Sequence, residues 1–280
     1  MEVSKAAPLW AVFAIMANMW ERRDHLPWRR TKDPYKILVS EMMLQQTRVE
    51  RVIPFYNKFI KEFPTAKKLA GANLSSVLKA WQGLGYNRRA KYLHSSAKLL
   101  AKKSSGRPPA STRLFSPGDF ASLPGVGPYT RGAVLAFAFN KPEVFVETNI
   151  RTVLIHSCKG LSFAKDGRVE DKTLLPLVAE TLKRSKMQPR EFYAAMMDYG
   201  AHLKKQGIEL NKKSKHYTKQ SKFEGSTRQL RGAILRELLK TPATLSQLIK
   251  KFPESSGKIE VALRGLTHDG LVRFDGRLYR

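Results

Sequence analysis

Between Leu123 and Thr130 the chain reads Leu-Pro-Gly-Val-Gly-Pro-Tyr-Thr, and a helix-compatible run from Arg131 to Phe137 follows at once. A hydrophobic residue, Pro-Gly-Val-Gly and a new helix together prescribe a tight hairpin between two helices. Gly125 and Gly127 permit backbone torsions closed to other residues and let a phosphate approach the main-chain amides around Val126. The helix behind them aims its unpaired N–H groups and positive dipole end at that phosphate. Alone, the motif is equally an ordinary helix–helix turn. Its surroundings have to decide.

Those surroundings are helical. Val49, Val52, Ile53, Tyr56, Phe59, Ile60 and Phe63 recur at helical spacing up to Pro64, with Pro54 predicting a kink or a break. Asp33-Pro34-Tyr35 supplies an N-cap and a first-turn proline for Lys36 to Gln45. Further helices are expected over Leu74 to Trp81, Tyr92 to Leu100, Gly127 to Phe139, Asn149 to Ser157, Lys172 to Lys183 and Pro189 to Leu203. The polar segment Lys102 to Pro109 interrupts them. No β-alternation precedes about residue 268, so the fold class is all-α. From His202 to Lys222, Lys204, Lys205, Lys212, Lys213, Lys215, Lys219 and Lys222 face one acid, Glu209, without apolar periodicity, as in an exposed basic linker. Three short helices follow (Arg228 to Leu239, Thr244 to Phe252, Ser256 to Asp269). Asp275-Gly276 then turns a hairpin between Leu271-Val272-Arg273-Phe274 and Arg277-Leu278-Tyr279. This outlines a small winged-helix-like module, of a kind that binds DNA or acts as a protein adaptor.

Charge points to the partner. Lys and Arg number 51 against 23 Asp and Glu, a formal charge of +28. An excess that large implies a polyanion and salt-dependent binding. The 42% hydrophobic and 10% aromatic content marks a real core rather than a basic tail. The lone cysteine, Cys158, lies in an apolar run and is expected to be buried and inert. It can form no intramolecular disulfide and no multi-cysteine metal centre. Leu9 to Met19 is apolar but too short to span a membrane, and reads as a core helix of a cytoplasmic protein, nucleoid-associated in a bacterium.

Two carboxylates stand out in this basic chain. Glu41 lies in the apolar run Ile37-Leu38-Val39-Ser40-Glu41-Met42-Met43-Leu44; it is either a desolvated general acid or a residue of a solvent-facing stripe. Glu147 sits between Phe145-Val146 and Thr148-Asn149-Ile150, either complementing a helix dipole or serving chemistry. Paired in one cleft, they would suit N-glycosidic cleavage: one protonates the leaving base, the other stays ionised beside the cationic sugar.

The chain resembles the helix-hairpin-helix DNA glycosylase superfamily, and within it the A/G-specific adenine glycosylases. The matching residues are Leu26-Pro27-Trp28-Arg29, Asp33-Pro34-Tyr35, Val39 to Thr47 (Val-Ser-Glu-Met-Met-Leu-Gln-Gln-Thr), Gly83-Leu84-Gly85-Tyr86, the hairpin, and Val146-Glu147-Thr148-Asn149. The resemblance implies an α-helical, two-lobed glycosylase fold; with the patterning above, the domains are a glycosylase domain over residues 1–202, a basic linker over 203–223 and the winged-helix-like module over 224–280. It implies double-stranded DNA with a mismatch or lesion as partner, a monomer, and a flipped base in the site. Carried over residue by residue, Glu41 is the general acid at the adenine ring, Tyr129 supports the carboxylates, and Asn149 lies beside the site. Trp28 and Arg29 line the base pocket. Gln45 is among the DNA-binding residues, Gln46 and Thr47 lie near the orphaned partner base, and Tyr86 wedges into the stack with Leu84 beside it. Gly125, Val126, Gly127 and Thr130 meet the backbone. Where bifunctional relatives carry a nucleophilic lysine, this chain has Tyr129, so a Schiff base there is not expected.

Three departures follow. No cysteine succeeds Met197-Asp198-Tyr199-Gly200-Ala201, so no iron–sulfur cluster, no metal and no other cofactor is expected, and Lys204 and Lys205 take over part of the hold on DNA. Glu147 stands where the family has aspartate. The segment from Glu224 to Arg280 is too short and too helical for a domain that reads 8-oxoguanine. The expected activity is removal of adenine opposite 8-oxoguanine or guanine. Thymine, uracil or an alkylated purine is the alternative on the same fold, and a non-catalytic DNA-binding protein the alternative from another class.

Overall fold

The computed structural model describes residues 23–104, 115–158, 166–220 and 222–280. The expected helix from Leu9 to Met19 and most of the polar segment Lys102 to Pro109 lie outside the described residues. Among the described residues there are twelve α-helices, and strand pairing is confined to isolated bridges. The helices are α1 (Pro34–Leu44), α2 (Val49–Glu62), α3 (Ala66–Ala70), α4 (Leu74–Trp81), α5 (Arg88–Ser104), α6 (Pro128–Phe139), α7 (Thr148–Ser157), α8 (Asp171–Ser185), α9 (Pro189–Lys205), α10 (Thr227–Leu238), α11 (Leu245–Lys251) and α12 (Ser256–His268).

Local chemistry explains most of their ends. Asp33 caps α1, its Oδ1 accepting from the Tyr35 N–H at 2.9 Å. Thr65, Asn73, Ser226 and Thr244 cap α3, α4, α10 and α11 in the same way. The expected break at Pro54 does not occur: α2 runs on through it, held to the core by Val52, Tyr56 and Phe59. Helix α5 starts earlier than its apolar stripe suggests because a buried arginine, Arg89, occupies its first turn.

The chain packs as two compact units. One contains residues up to Leu38 and Val126–Lys219; the other contains Val39–Gly125 and Gln220–Arg280. The first is built on α6 to α9, with Ala133, Val134, Ile150, Leu154, Leu174, Phe192 and Met196 at its centre. The second combines α2 to α5 with the C-terminal module. That module buries Ile234, Leu248, Ile259, Leu263 and Leu266. Its wing is minimal: Arg273 and Arg280 exchange main-chain hydrogen bonds at 2.7 and 2.9 Å, and Tyr279 also pairs with Ala243.

The basic segment is less of a tether than its composition suggests. Helix α9 extends to Lys205, Leu210–Lys213 forms a 3-10 turn, and Ser214 is fully buried. The Val169 N–H donates to the Lys213 carbonyl at 2.8 Å and the Lys215 N–H to Val169 at 3.0 Å. Main-chain pairing holds this stretch, which is why no apolar periodicity announces it. No helix of the described residues is long and apolar enough to cross a membrane.

Candidate active site

In the unit containing Val126–Lys219, an aromatic stack delivers Glu147. Phe145 lies on Tyr193 with centroids 3.9 Å apart, and Tyr129 meets it edge-on at 5.7 Å. Gly132 of α6 makes room, since a Cβ there would come within 2.7 Å of the Phe145 ring. The Tyr193 hydroxyl donates to the Glu143 carbonyl at 2.5 Å, fixing the extended strap that leads to Glu147. Glu147 then caps α7. Its Oε1 accepts from the N–H groups of Asn149 at 2.8 Å and Ile150 at 2.9 Å, and its Oε2 from Asn149 Nδ2 at 3.3 Å. Burial raises its pKa, opposed by these donors and by the Arg151 charge. Arg151 is itself paired with Asp171 at 2.6 and 2.9 Å, so Glu147 does not have that cation to itself. The sequence offers two readings of Glu147, helix cap and reaction carboxylate, and the cap is what the geometry displays. A carboxylate fixed by three donors is also well placed to act without reorganising.

Helix α9 meets α7 at one point with no spare room. A Cβ on Gly200 would lie 2.4 Å from the Asn149 carbonyl oxygen and 2.5 Å from its Cβ. Gly200→Ala should therefore lower stability by about 1–3 kcal/mol and displace the first turn of α7. Thermal unfolding together with single-turnover rates checks this: a rate loss larger than the stability loss alone explains is expected.

Trp28 is buried. Arg29 is turned inward, pairing with buried Asp198 at 3.3 Å and lying 5.2 Å from the Phe137 ring centroid. Asp198 also accepts the Arg23 N–H at 3.1 Å; burial raises its pKa, with Arg29 opposing. Arg29 is thus engaged in an interior ion pair, on a residue the sequence reading assigned to a base pocket. Lys204 and Lys205 are exposed at the C-terminal end of α9. Cys158 is half-buried at the end of α7 rather than fully enclosed, and burial pushes its thiol up to about 11, which keeps it protonated and unreactive.

The hairpin glycines differ. Gly125 has φ 73°, and a Cβ there would meet Tyr92 at 2.8 Å and Met42 at 2.9 Å. Gly127 has φ −81° and ψ 178°, an ordinary extended conformation at the N-cap of α6, with open space where a Cβ would go. Only the first glycine is required by torsion. Gly125 and Gly127 are exposed, Val126 is half-buried and Thr130 is buried.

In the other unit, Glu41 is 5% exposed, beside Leu38, Val39, Met42 and Met43, none of which is exposed. The solvent-face alternative for Glu41 is therefore wrong. Helix α1 ends in the turn Gln45-Gln46-Thr47, where Gln46 takes φ 54°; Tyr86 takes φ 48° in the loop Gly83-Leu84-Gly85-Tyr86. Such torsions are costly for residues other than glycine and persist only where neighbours impose them. Arg89 imposes both. Its Nη1 donates to the carbonyls of Met42, Met43 and Gln45 at 3.0, 2.7 and 2.5 Å. Its Nη2 donates to Thr47 Oγ1, Leu84 and Gly85 at 3.2, 3.3 and 3.0 Å. Burial lowers the Arg89 pKa to about 10, which still leaves it charged at neutral pH. Trp81 Nε1 donates to Gly85 at 3.2 Å and Arg51 Nε to Gly83 at 3.2 Å. Gln46 is exposed, Gln45, Thr47 and Tyr86 are half-buried, and Leu84 is buried, so Leu84 anchors the loop from inside. Arg89 escaped the sequence reading because an arginine in a basic helix carries no sign of burial.

The family described as HhH-GPD superfamily base excision DNA repair protein matches residues 39–173. The adenine DNA glycosylase of Mycolicibacterium smegmatis is 34% identical over 91% of this chain and 90% of its own length. That of Buchnera aphidicola subsp. Baizongia pistaciae is 45% identical over 48% of this chain, a match spanning 36% of that relative. The human adenine DNA glycosylase is 33% identical over 65% of this chain and 33% of its own length. Among solved structures, a thermostable thymine-DNA glycosylase superposes with a TM-score of 0.55 at 27% identity, covering 69% of this chain and 84% of that one.

Proposed function

The chain belongs to the adenine DNA glycosylase family of helix-hairpin-helix base excision repair proteins, and from that membership we propose that it is a monofunctional glycosylase that hydrolyses adenine from DNA where adenine faces 8-oxoguanine or guanine. The observation that carries the reading lies inside the matched segment: a buried Glu41 in α1 and a triply bonded Glu147 at the head of α7.

The proposed reaction begins with extrusion of the adenosine, whose unstacking costs a few kcal/mol. Tyr86 fills the gap, and Gln46 and Thr47 face the widowed base. Glu41 gives its proton to a ring nitrogen of adenine, which then leaves with the electron pair of the C1′–N9 bond. Glu147, as the anion, opposes the positive charge that grows on the sugar, and Asn149 and Tyr129 hold it in place. Water adds to C1′ and gives up a proton, which restores the Glu41 acid directly or through solvent, leaving an abasic site in an unbroken strand. With Tyr129 in place of a lysine, no Schiff base forms at that position. Behind α9 stand lysines, and the one cysteine of the sequence lies at the end of α7, a donor set that does not fit an iron–sulfur cluster, and no step uses one.

A panel of duplexes with single mismatches, analysed with and without alkali, tests this proposal. Free adenine and strand breaks only after alkali are expected. Release of thymine or uracil without adenine would refute the adenine assignment, and breaks without alkali would refute the monofunctional one.

The lysines at and beyond the end of α9 carry a separate expectation. Neutralising Lys204, Lys205, Lys212 and Lys213 should weaken binding to every duplex alike and flatten the salt slope by up to about 0.9 per lost phosphate contact. Glu209 already pairs with Lys212 at 3.1 Å, which should reduce that lysine's contribution. A loss confined to one mismatch in salt titrations contradicts this assignment.

A further inference from the structure

The C-terminal module has no part in the reaction above, yet it touches the loops that face the DNA. Helix α10 begins at Thr227, and its second residue, Arg228, lies over the Tyr86 ring at 5.2 Å and over the Phe223 ring at 5.5 Å. Arg228 Nη1 also donates to the Tyr86 hydroxyl. A cation in the first turn of a helix opposes the helix dipole, so its place there needs a compensating contact, which the two rings and the hydroxyl supply. Phe223 is 54% exposed. Three residues earlier, Gln220 Nε2 lies 3.4 Å from both the carbonyl and the Oε1 of Gln46. The module is anchored to α5 independently of this contact. Lys91 donates to the Asp269 carbonyl at 2.6 Å, and Asp269 pairs with Arg88 at 3.4 Å and with Arg231.

The two residues reached, Tyr86 and Gln46, are the two with left-handed backbone at the expected wedge and partner-base turn. Arg89, from within, is the second guanidinium near the Tyr86 ring, at 5.4 Å. We propose that the C-terminal module, with the end of the linker before it, is part of the base-reading apparatus: Arg228, in contact with the rings of Tyr86 and Phe223, positions the Tyr86 ring for entry into the duplex, while Gln220 steadies the Gln46 turn. Arg228 is a positioning residue and touches no reacting atom. The inference rests on Tyr86 acting as the wedge and deepens the proposed function.

The test compares wild type, Arg228→Gln, Arg228→Lys, Tyr86→Phe and the double variant Arg228→Gln/Tyr86→Phe. Adenine release is measured in single turnover from duplexes in which adenine faces guanine or faces an abasic site, where there is no stacked partner to displace. In Arg228→Gln the ratio of the first rate to the second should fall about tenfold. Arg228→Lys should fall between Arg228→Gln and wild type. Tyr86→Phe removes the hydroxyl that accepts from Arg228, and the double variant should be no worse than the poorer single. Equal losses on both duplexes, which leave the ratio unchanged, would mean a merely structural role and overturn the proposal.

A second readout does not depend on which base is excised. With 2-aminopurine placed beside the A·G pair, saturating wild type should raise its fluorescence by unstacking it, and Arg228→Gln should raise it less than half as much. Enhancement without adenine release would remove the proposed activity and leave this inference standing. Binding without any enhancement in wild type would overturn the inference.

Discussion

Glu41→Gln should slow adenine release by about 10²- to 10⁴-fold while duplex affinity changes by less than about threefold. The amide keeps the shape of the side chain and removes the proton it could give. Glu41 is 5% exposed, between residues of α1 that are not exposed at all. A purine ring gains more from protonation as it leaves than a ring that departs as a stable anion, so the effect should be large. Single-turnover assays and gel-shift titrations on the same duplex check both halves. Unchanged release would take Glu41 out of the mechanism.

Glu147→Ala should leave almost no activity, with a loss on the order of a thousandfold or more. It should also cost about 1 kcal/mol of stability, because the N–H groups of Asn149 and Ile150 lose their acceptor. Glu147→Asp should retain part of the activity. The carboxylate would shift by about an ångström, a displacement that can cost on the order of a hundredfold in rate, but it would remain an anion at the head of α7. Full activity in Glu147→Ala would reduce Glu147 to a helix cap.

The pH profile adds a sign to this prediction. Burial raises the Glu147 pKa, and the reaction needs the anion, so the rate should decline as pH falls through that raised value. Stability should move the other way. Between the ordinary carboxylate range and the raised value, the folded protein binds more protons than the unfolded chain, so stability falls as pH rises. Glu147→Gln should abolish this part of the stability profile. Melting curves across that window, set beside rate profiles, separate the two effects.

Much of the fold was legible because apolar spacing and caps carry it: Asp33 before α1, the stripe Val52, Tyr56 and Phe59, and the glycine-bearing hairpin before α6. The burial of Glu41 was half-legible, and the packing of Leu38, Val39, Met42 and Met43 decided it. What stayed hidden depends on partners distant in sequence. Arg89 is indistinguishable from its basic neighbours until seven acceptors converge on it. Asp198 pairs with Arg29 across 169 positions, and Gly200 matters only because Asn149 lies against it. The basic segment misled for a related reason: its order comes from pairing with Val169, and main-chain pairing leaves no pattern in side-chain type.

In the proposed reaction Glu41 and Glu147 act on one nucleoside in one transition state. The most direct measurement is the single-turnover rate of adenine release by wild type, Glu41→Gln, Glu147→Gln and the double variant on one A·G duplex. Groups that act as a unit are strongly non-additive, so the double variant should be no more than about threefold slower than the slower single. Losses that multiply, or a Glu147→Gln variant as fast as wild type, would show that the two carboxylates serve separate events.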